Sequence, residues 1–258
     1  MNIQKMHLRK ELMESFGEFV AVVEKLRSKE GCPWDRAQTH KSLRPTMIEE
    51  AYESVDAINA YEATGAYENL REELGDVLLQ VVMHSVIAEE EALFTAEDVI
   101  RGITEKMRHR HPHVFGSREW NGAEHEKTWE ELKAEEKAGK ETAKHPLREI
   151  PAALPALLRA SKVQKKSAGL YNTKEDACVS AGNLSVLAAE LSELLEKKKT
   201  SGETETTAEA DSGKEIETRI LTEMLLKITN ISWQIKINPE MALADRIEEI
   251  IADKCIAE

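Results

Sequence analysis

The chain has 258 residues, 41% of them apolar, enough to bury a core without disulfide or metal staples. Its 48 acidic residues against 35 Lys and Arg leave a net charge of −13, which excludes a general binder of nucleic-acid backbones but not a small basic pocket. Aromatic residues at 5%, with only 12 Gly and 7 Pro, are too few for a β-sandwich or barrel, and the abundant Ala, Leu, Glu and Lys predict an all-α fold.

In chain order, apolar residues at helical spacing (Leu12, Phe16, Phe19, Val20, Val23, Leu26) predict a first helix over 10–28, broken by Gly31-Cys32-Pro33-Trp34. Pro45 suits the first turn of a second helix over 44–63, and Gly65 ends it. A third helix is expected over 68–91. Its stretch Val77–Ile87 is apolar but for Gln80, His84 and Ser85, which predicts burial on all sides. Thr95 caps a fourth helix ending near Arg110, with Glu97 and Asp98 in its first turn. A loop over 111–116 and a charged helix over 123–140 follow. Pro146, Pro151 and Pro155 mark a junction. Helices are expected over 153–168, 173–196 and 215–236, and Asn238-Pro239 opens the last one. Residues 197–214 hold no large apolar side chain and read as a flexible insert.

Two segments share one layout: an acid, a long apolar helix, a cap and a final helix. Asp76 precedes the Thr95 cap by 19 residues and Glu223 precedes the Asn238 cap by 15, a difference of four, or about one helical turn. A duplicated helical unit is the expectation, with a boundary at 145/146.

Three widely spaced cysteines form no disulfide framework, the N-terminus lacks an apolar signal run, and no stretch approaches 18 uninterrupted apolar residues. A cytoplasmic protein without a membrane or nucleic-acid partner is expected.

The candidate chemistry lies in two acid pairs, Glu50-x-x-Glu53 and Glu73-x-x-Asp76. Residues three apart share a helix face, and antiparallel packing of the two helices would bring four carboxylates together. Hard oxygen ligands of this kind suit Mg²⁺, with Mn²⁺ as a substitute, and substrate phosphate completes the shell. Solvated helix faces are the competing reading, since an acidic chain carries roughly nine such pairs by chance. On the second helix, Ile48, Tyr52, Val55 and Asn59 lie nearly opposite the acids and mark the expected apolar face. A di-iron bundle would need Glu-x-x-His motifs, and none of the eight histidines has Glu three residues before it. Lys106 and Arg110, one turn apart, either receive a phosphate chain or pair with the helix C-terminus. Trp34, Gln38 and His40 precede the second helix, where Trp can stack on a base and Gln read its edge, or Trp can anchor a core or lid.

Cys32-Pro33-Trp34-Asp35, Gln38-Thr39-His40, Glu49-Glu50-Ala51-Tyr52-Glu53, Glu72-Glu73-Leu74-Gly75-Asp76 and Arg110-His111-Pro112-His113-Val114-Phe115-Gly116 together resemble the MazG nucleoside triphosphate pyrophosphohydrolases, in order, over about residues 15–140. The resemblance implies an all-α homodimer that converts nucleoside triphosphate (NTP) and water to NMP and pyrophosphate with Mg²⁺. It implies metal ligands at Glu50, Glu53, Glu73 and Asp76, with Glu50 or Glu53 activating water, and phosphate contacts at Lys106 and Arg110. The implied architecture is two tandem MazG-type units, residues 1–145 catalytic and 146–258 degenerate. In the second unit Glu190-x-x-Glu193 fits the first pair, but the second becomes Ile220-x-x-Glu223. Glu249 and Asp253 stand where Lys106 and Arg110 do. The alternative is a catalytically weak nucleotide-binding or regulatory dimer of the same fold. A metal hydrolase releasing NDP and phosphate would be told apart by its products.

Overall fold

In the computed structural model, residues 3–116, 145–201 and 207–255 are described, with side chains over 9–116, 145–199 and 213–255. All regular structure among them is helical. The chain divides into two compact units, 1–135 and 136–258. The charged helix expected over 123–140 lies outside the described residues.

The first unit holds α1 (Ile3–Arg27), α2 (Pro33–Ala37), α3 (Arg44–Thr64), α4 (Glu68–Glu90), α5 (Ala96–Arg110) and α6 (Pro112–Phe115). Two glycines shape its turns. A Cβ at Gly31 would collide with the carbonyl oxygens of Lys25 and Leu26, so only glycine lets the chain fold back on the end of α1. Gly65 has φ +76° and caps α3, its N–H donating to the Tyr61 carbonyl at 2.7 Å. The α3–α4 hairpin that results is the frame of the unit. Its core joins Val23 and Leu43 to Val82, Met83, Val86 and Ile87 of α4, with Phe16, Phe19, Val20 and Leu79 packed against them.

The faces of α3 fall as follows, and two expectations, for α4 and for 111–116, need correction. The buried residues of α3 are Ser54 and Ala57, which fall on the same face as Glu50, while Ile48 and Tyr52 are about half exposed. The acid-bearing face packs on α4, and the apolar stripe of α3 points away from the protomer's core. The 80–88 part of α4 is largely buried as expected, but Leu78 upstream is 40% exposed. The segment 111–116, expected as loop, contains one helical turn, α6, which Pro112 starts at a position needing no N–H.

The second unit begins with a 3₁₀ turn (Pro146–Glu149), followed by α7 (Ala156–Tyr171), α8 (Ala177–Ser201), α9 (Thr207–Gln234) and α10 (Pro239–Cys255). Both α7 and α8 pack on α9, and α10 packs on α7. The insert expected over 197–214 is helical at 197–201 and 207–214. Absence of large apolar residues removes a reason to be buried, but Lys, Glu and Ala still favour helix, and Lys198 pairs with Glu217 at 3.1 Å. As expected, Asn238 caps the last helix, its Oδ1 accepting from the Glu240 N–H at 3.1 Å. One described helix, α8 over Ala177–Lys199, is long and apolar enough to cross a membrane by length and composition, with a mean hydropathy of 1.2. It contains Glu190 and Glu193 and packs along α9.

Candidate metal centre and nucleotide site

The hairpin brings Glu50 of α3 and Glu73 and Asp76 of α4 together. One carboxylate oxygen from each lies within 4.8 Å of the others, and all three are half-buried. Glu53 stays exposed and outside this set, yet its charge reaches both glutamates. Burial, then Asp76, then Glu53, through its charge and a shared hydrogen bond, hold the Glu50 carboxyl above its ordinary range. Burial, Glu53 and Asp76 do the same to Glu73. Among the described residues no Lys or Arg forms an ion pair with these three acids, so none of those residues compensates their mutual repulsion. Three converging hard carboxylates, with the proton affinity of Glu50 and Glu73 raised, are a donor set that fits a divalent cation such as Mg²⁺ or Mn²⁺.

The α5 helix packs against α4 and carries the basic pair. Its start is fixed by a capping box. Thr95 Oγ1 accepts from the Asp98 N–H at 3.2 Å, and Asp98 Oδ2 accepts from the Thr95 N–H at 2.9 Å. Lys106 is exposed and Arg110 half-buried, one turn apart in the last half of the helix.

Trp34 stands on α2 with 67% of its surface exposed. Gln38 braces this loop: its Nε2 donates to the Trp34 carbonyl at 3.2 Å and its Oε1 accepts from Ser42 Oγ at 2.7 Å. The Gln38 amide thus holds the loop that presents Trp34. His40 stacks on His84 of α4, ring centroids 5.0 Å apart and planes 4° from parallel, with the two Nδ1 atoms 2.7 Å apart. One Nδ1 must donate and the other accept, so the pair keeps its bond only while at least one ring is neutral.

Burial, and then the His40 charge, push the His84 imidazole below its ordinary 6.5. The unfolded chain takes up a proton near that value, and the folded one refuses it until lower pH. Stability linked to the neutral His84 ring is therefore complete above 6.5 and is lost as pH falls through the depressed folded value. The melting temperature of the first unit should fall between about pH 7.5 and 5.5, and His84→Gln should flatten that fall. An unchanged slope in the variant would mean that other groups carry it.

Two residues of this region escaped the sequence reading: the partnership of His84, seen only as a polar interruption in an apolar helix, and Arg27. A signal for Arg27 did exist, since it lies one turn beyond Val23 on the buried stripe of α1.

In the second unit Glu190, Glu193 and Glu223 are all exposed, and among the described residues they form no comparable cluster. Ile220, aligned with Glu73 by the repeat, is 2% exposed and part of the core. The polar centre of this unit is instead self-neutralised. Glu175 accepts from Lys227 Nζ at 2.8 Å, from Ser180 Oγ at 2.6 Å and from Asn183 Nδ2 at 3.0 Å. These bonds, Lys227 first, hold its carboxyl below the usual range.

Comparison with known proteins gives this geometry a context. A family model for the MazG nucleotide pyrophosphohydrolase domain matches residues 38–115, which include the acid trio and the basic pair. The nucleoside triphosphate pyrophosphohydrolase/pyrophosphatase MazG of Thermotoga maritima is 40% identical over 228 residues, covering 88% of this chain and 79% of that protein. A nucleoside triphosphate pyrophosphohydrolase of Escherichia coli K12 is 42% identical over 161 residues, 61% of this chain and 59% of its own length. One from Mycobacterium tuberculosis is 38% identical over 156 residues, 60% of this chain and 45% of its own length. A likeness that extends over most of both the Thermotoga protein and this chain, with the acid-bearing hairpin inside the matched domain, makes the chain a member of the MazG nucleotide pyrophosphohydrolase family.

Proposed function

We propose that the chain is a divalent-metal-dependent nucleoside triphosphate pyrophosphohydrolase: NTP + H₂O → NMP + pyrophosphate, by attack of water on the α-phosphorus. The observation that carries this reading is the convergence of Glu50, Glu73 and Asp76 within 4.8 Å inside the segment matched to the family.

Glu50, Glu73 and Asp76, with Glu53 at the rim, would hold Mg²⁺ or Mn²⁺, which when bound polarises phosphate oxygens, acidifies water and neutralises the leaving group. The chain's own residues do the rest. Lys106 and Arg110 hold the β- and γ-phosphates through charge-assisted hydrogen bonds. Either Glu50 or Glu53 takes the proton of the attacking water. The raised proton affinity of Glu50 suits it to that task. The α–β anhydride bond breaks, and pyrophosphate leaves toward the basic pair. Trp34 offers a face for the nucleobase.

Catalysis is assigned to the first unit. Dispersed acids, a buried Ile220, and Glu249 and Asp253 at the places of Lys106 and Arg110 support a scaffold or regulatory role for the second. Glu249 is already paired with Arg246 at 2.6 Å. A homodimer is supported by the exposed apolar stripe of α3 and α4. The cytoplasm, with no membrane or nucleic-acid partner, fits three free cysteines and a charge of −13.

Product analysis is the test. The protein is incubated with each NTP and Mg²⁺, beside Glu53→Ala and Glu193→Ala. NMP and pyrophosphate are expected, with turnover lost by at least about a hundredfold in Glu53→Ala and kept in Glu193→Ala. NDP and phosphate as products would change the reaction class. Loss in Glu193→Ala alone would move catalysis to the second unit. Mg²⁺-dependent nucleotide binding without turnover would favour the regulatory dimer.

A further inference from the structure

Arg27 ends α1, and its side chain is 4% exposed. Four of its donor contacts are in place. Nε and Nη2 donate to the two carboxylate oxygens of Glu90 at 2.9 and 2.6 Å. Nη1 donates to the backbone carbonyls of Asp35 at 2.6 Å and Gln38 at 3.1 Å. Those carbonyls close the C-terminal end of α2, the short helix that carries Trp34. One planar guanidinium therefore ties α1, the Trp34 loop and the end of α4 together. Lysine, a point charge without a fork, cannot reproduce this geometry.

The same helix holds the loop a second time, through the His84–His40 stack. His84 and Glu90 lie eight and fourteen residues beyond Asp76, or roughly 12 and 21 Å along the axis of α4. The helix that supplies two of the three converging acids also sets the distance of the Trp34 face from them. We infer that Arg27, with Glu90, is a positioning residue for nucleoside recognition: it fixes the Trp34 loop in register with the acid cluster, and so governs binding of the base-bearing half of the substrate. This rests on the hydrolase reading above. An interaction with the base that is equal in ground and transition states moves KM and leaves kcat.

The test compares kcat/KM for ATP, GTP, CTP and UTP with that for ribose 5-triphosphate, which keeps the same anhydride bonds and lacks the base. The wild-type chain should prefer its best NTP over the baseless substrate by at least about tenfold. Arg27→Lys should lower that preference by roughly tenfold, mainly through KM for the NTP, and Trp34→Ala should lower it equally. Glu90→Gln should lower it less, because Arg27 keeps its carbonyl contacts. Trp34 and Glu90 are exposed enough that their variants test the inference even if buried Arg27 tolerates no change. An unchanged preference in Trp34→Ala or in Glu90→Gln overturns the inference. So does Arg27→Lys slowing both substrates by the same factor, which is the signature of a merely structural role. Absence of wild-type turnover on every NTP overturns the hydrolase reading itself, an outcome distinct from a hydrolase whose preference ignores these residues.

Discussion

Asp76→Asn is expected to abolish hydrolysis and at the same time to raise the thermal stability of the metal-free protein. The two effects have one cause. Asp76 acts on both Glu50 and Glu73, raising the proton affinity of each alongside the effect of burial. In the folded chain these carboxyls hold protons above the ordinary 4.5, where the unfolded chain has released them. Stability contributed by that uptake is complete below 4.5 and is lost as pH rises through the folded values, so above them the metal-free protein carries the repulsion. Taking one charge away relieves it, and melting should rise by a few degrees near pH 7.5 and not near pH 4.5. The same removal deletes a ligand, and turnover should fall by at least about a hundredfold, since even outer-shell changes cost 10–100-fold. A third readout links them. Mg²⁺ or Mn²⁺ stabilises the wild-type chain by mass action on the folded state, and this shift should be absent from the variant. A variant that melts lower than wild type without metal, or keeps the full metal shift, would refute a charge-strained cation site.

Which parts of this architecture could be read from sequence follows from how local their causes are. The Gly65 terminus, the Thr95 capping box and the Asn238 cap are written in residues within four positions of one another, and each is found where the sequence places it. The i, i+3 acid pairs are equally local, so their presence was legible. Their convergence could be read only as a consequence of antiparallel packing, because it depends on the turn that lays α4 back along α3, and three of the four acids meet. Glu53 shows the limit: it shares a helix face with Glu50 in the pattern, but it stays exposed and outside the converging trio. Residues 197–214 misled for a different reason. Composition reports what a segment can bury, and a solvated helix buries little while still favouring helical backbone. The place of Arg27 on the buried stripe of α1 was legible, but its partners were not, because they lie 8, 11 and 63 residues away and two of them are backbone carbonyls that carry no sequence signal. The apolar face of α3 was read as lying opposite the acids, and it points away from the core of the protomer.

That placement has a physical consequence. Ile48 and Tyr52 on α3, and Leu74 and Leu78 on α4, are each pairs one turn apart, and all four are at least 40% exposed. Tyr52 falls between Glu50 and Glu53, and Leu74 between Glu73 and Asp76, so the helices that present acids on one side present apolar residues on another. Exposed apolar residues spaced in this way would suit an interaction surface. Within the proposed homodimer it is the surface a second copy would cover, at about 25 cal/mol for each Å² of apolar area removed from water. Leu78→Asp places a charge among the exposed apolar residues of α4, at a position outside the core cluster of the protomer. Light scattering coupled to gel filtration should give twice the chain mass of 29.0 kDa for the wild type and 29.0 kDa for the variant. Turnover should fall with the mass, by roughly tenfold or more, because a buried stripe holds α3 and α4 at the separation the three acids need. Helical circular dichroism should persist, since Val82, Met83, Val86 and Ile87 still pack on Val23 and Leu43. A wild-type mass of 29.0 kDa, or a Leu78→Asp variant that remains dimeric and fully active, would place the contact between copies elsewhere and free the acid hairpin from any dependence on it.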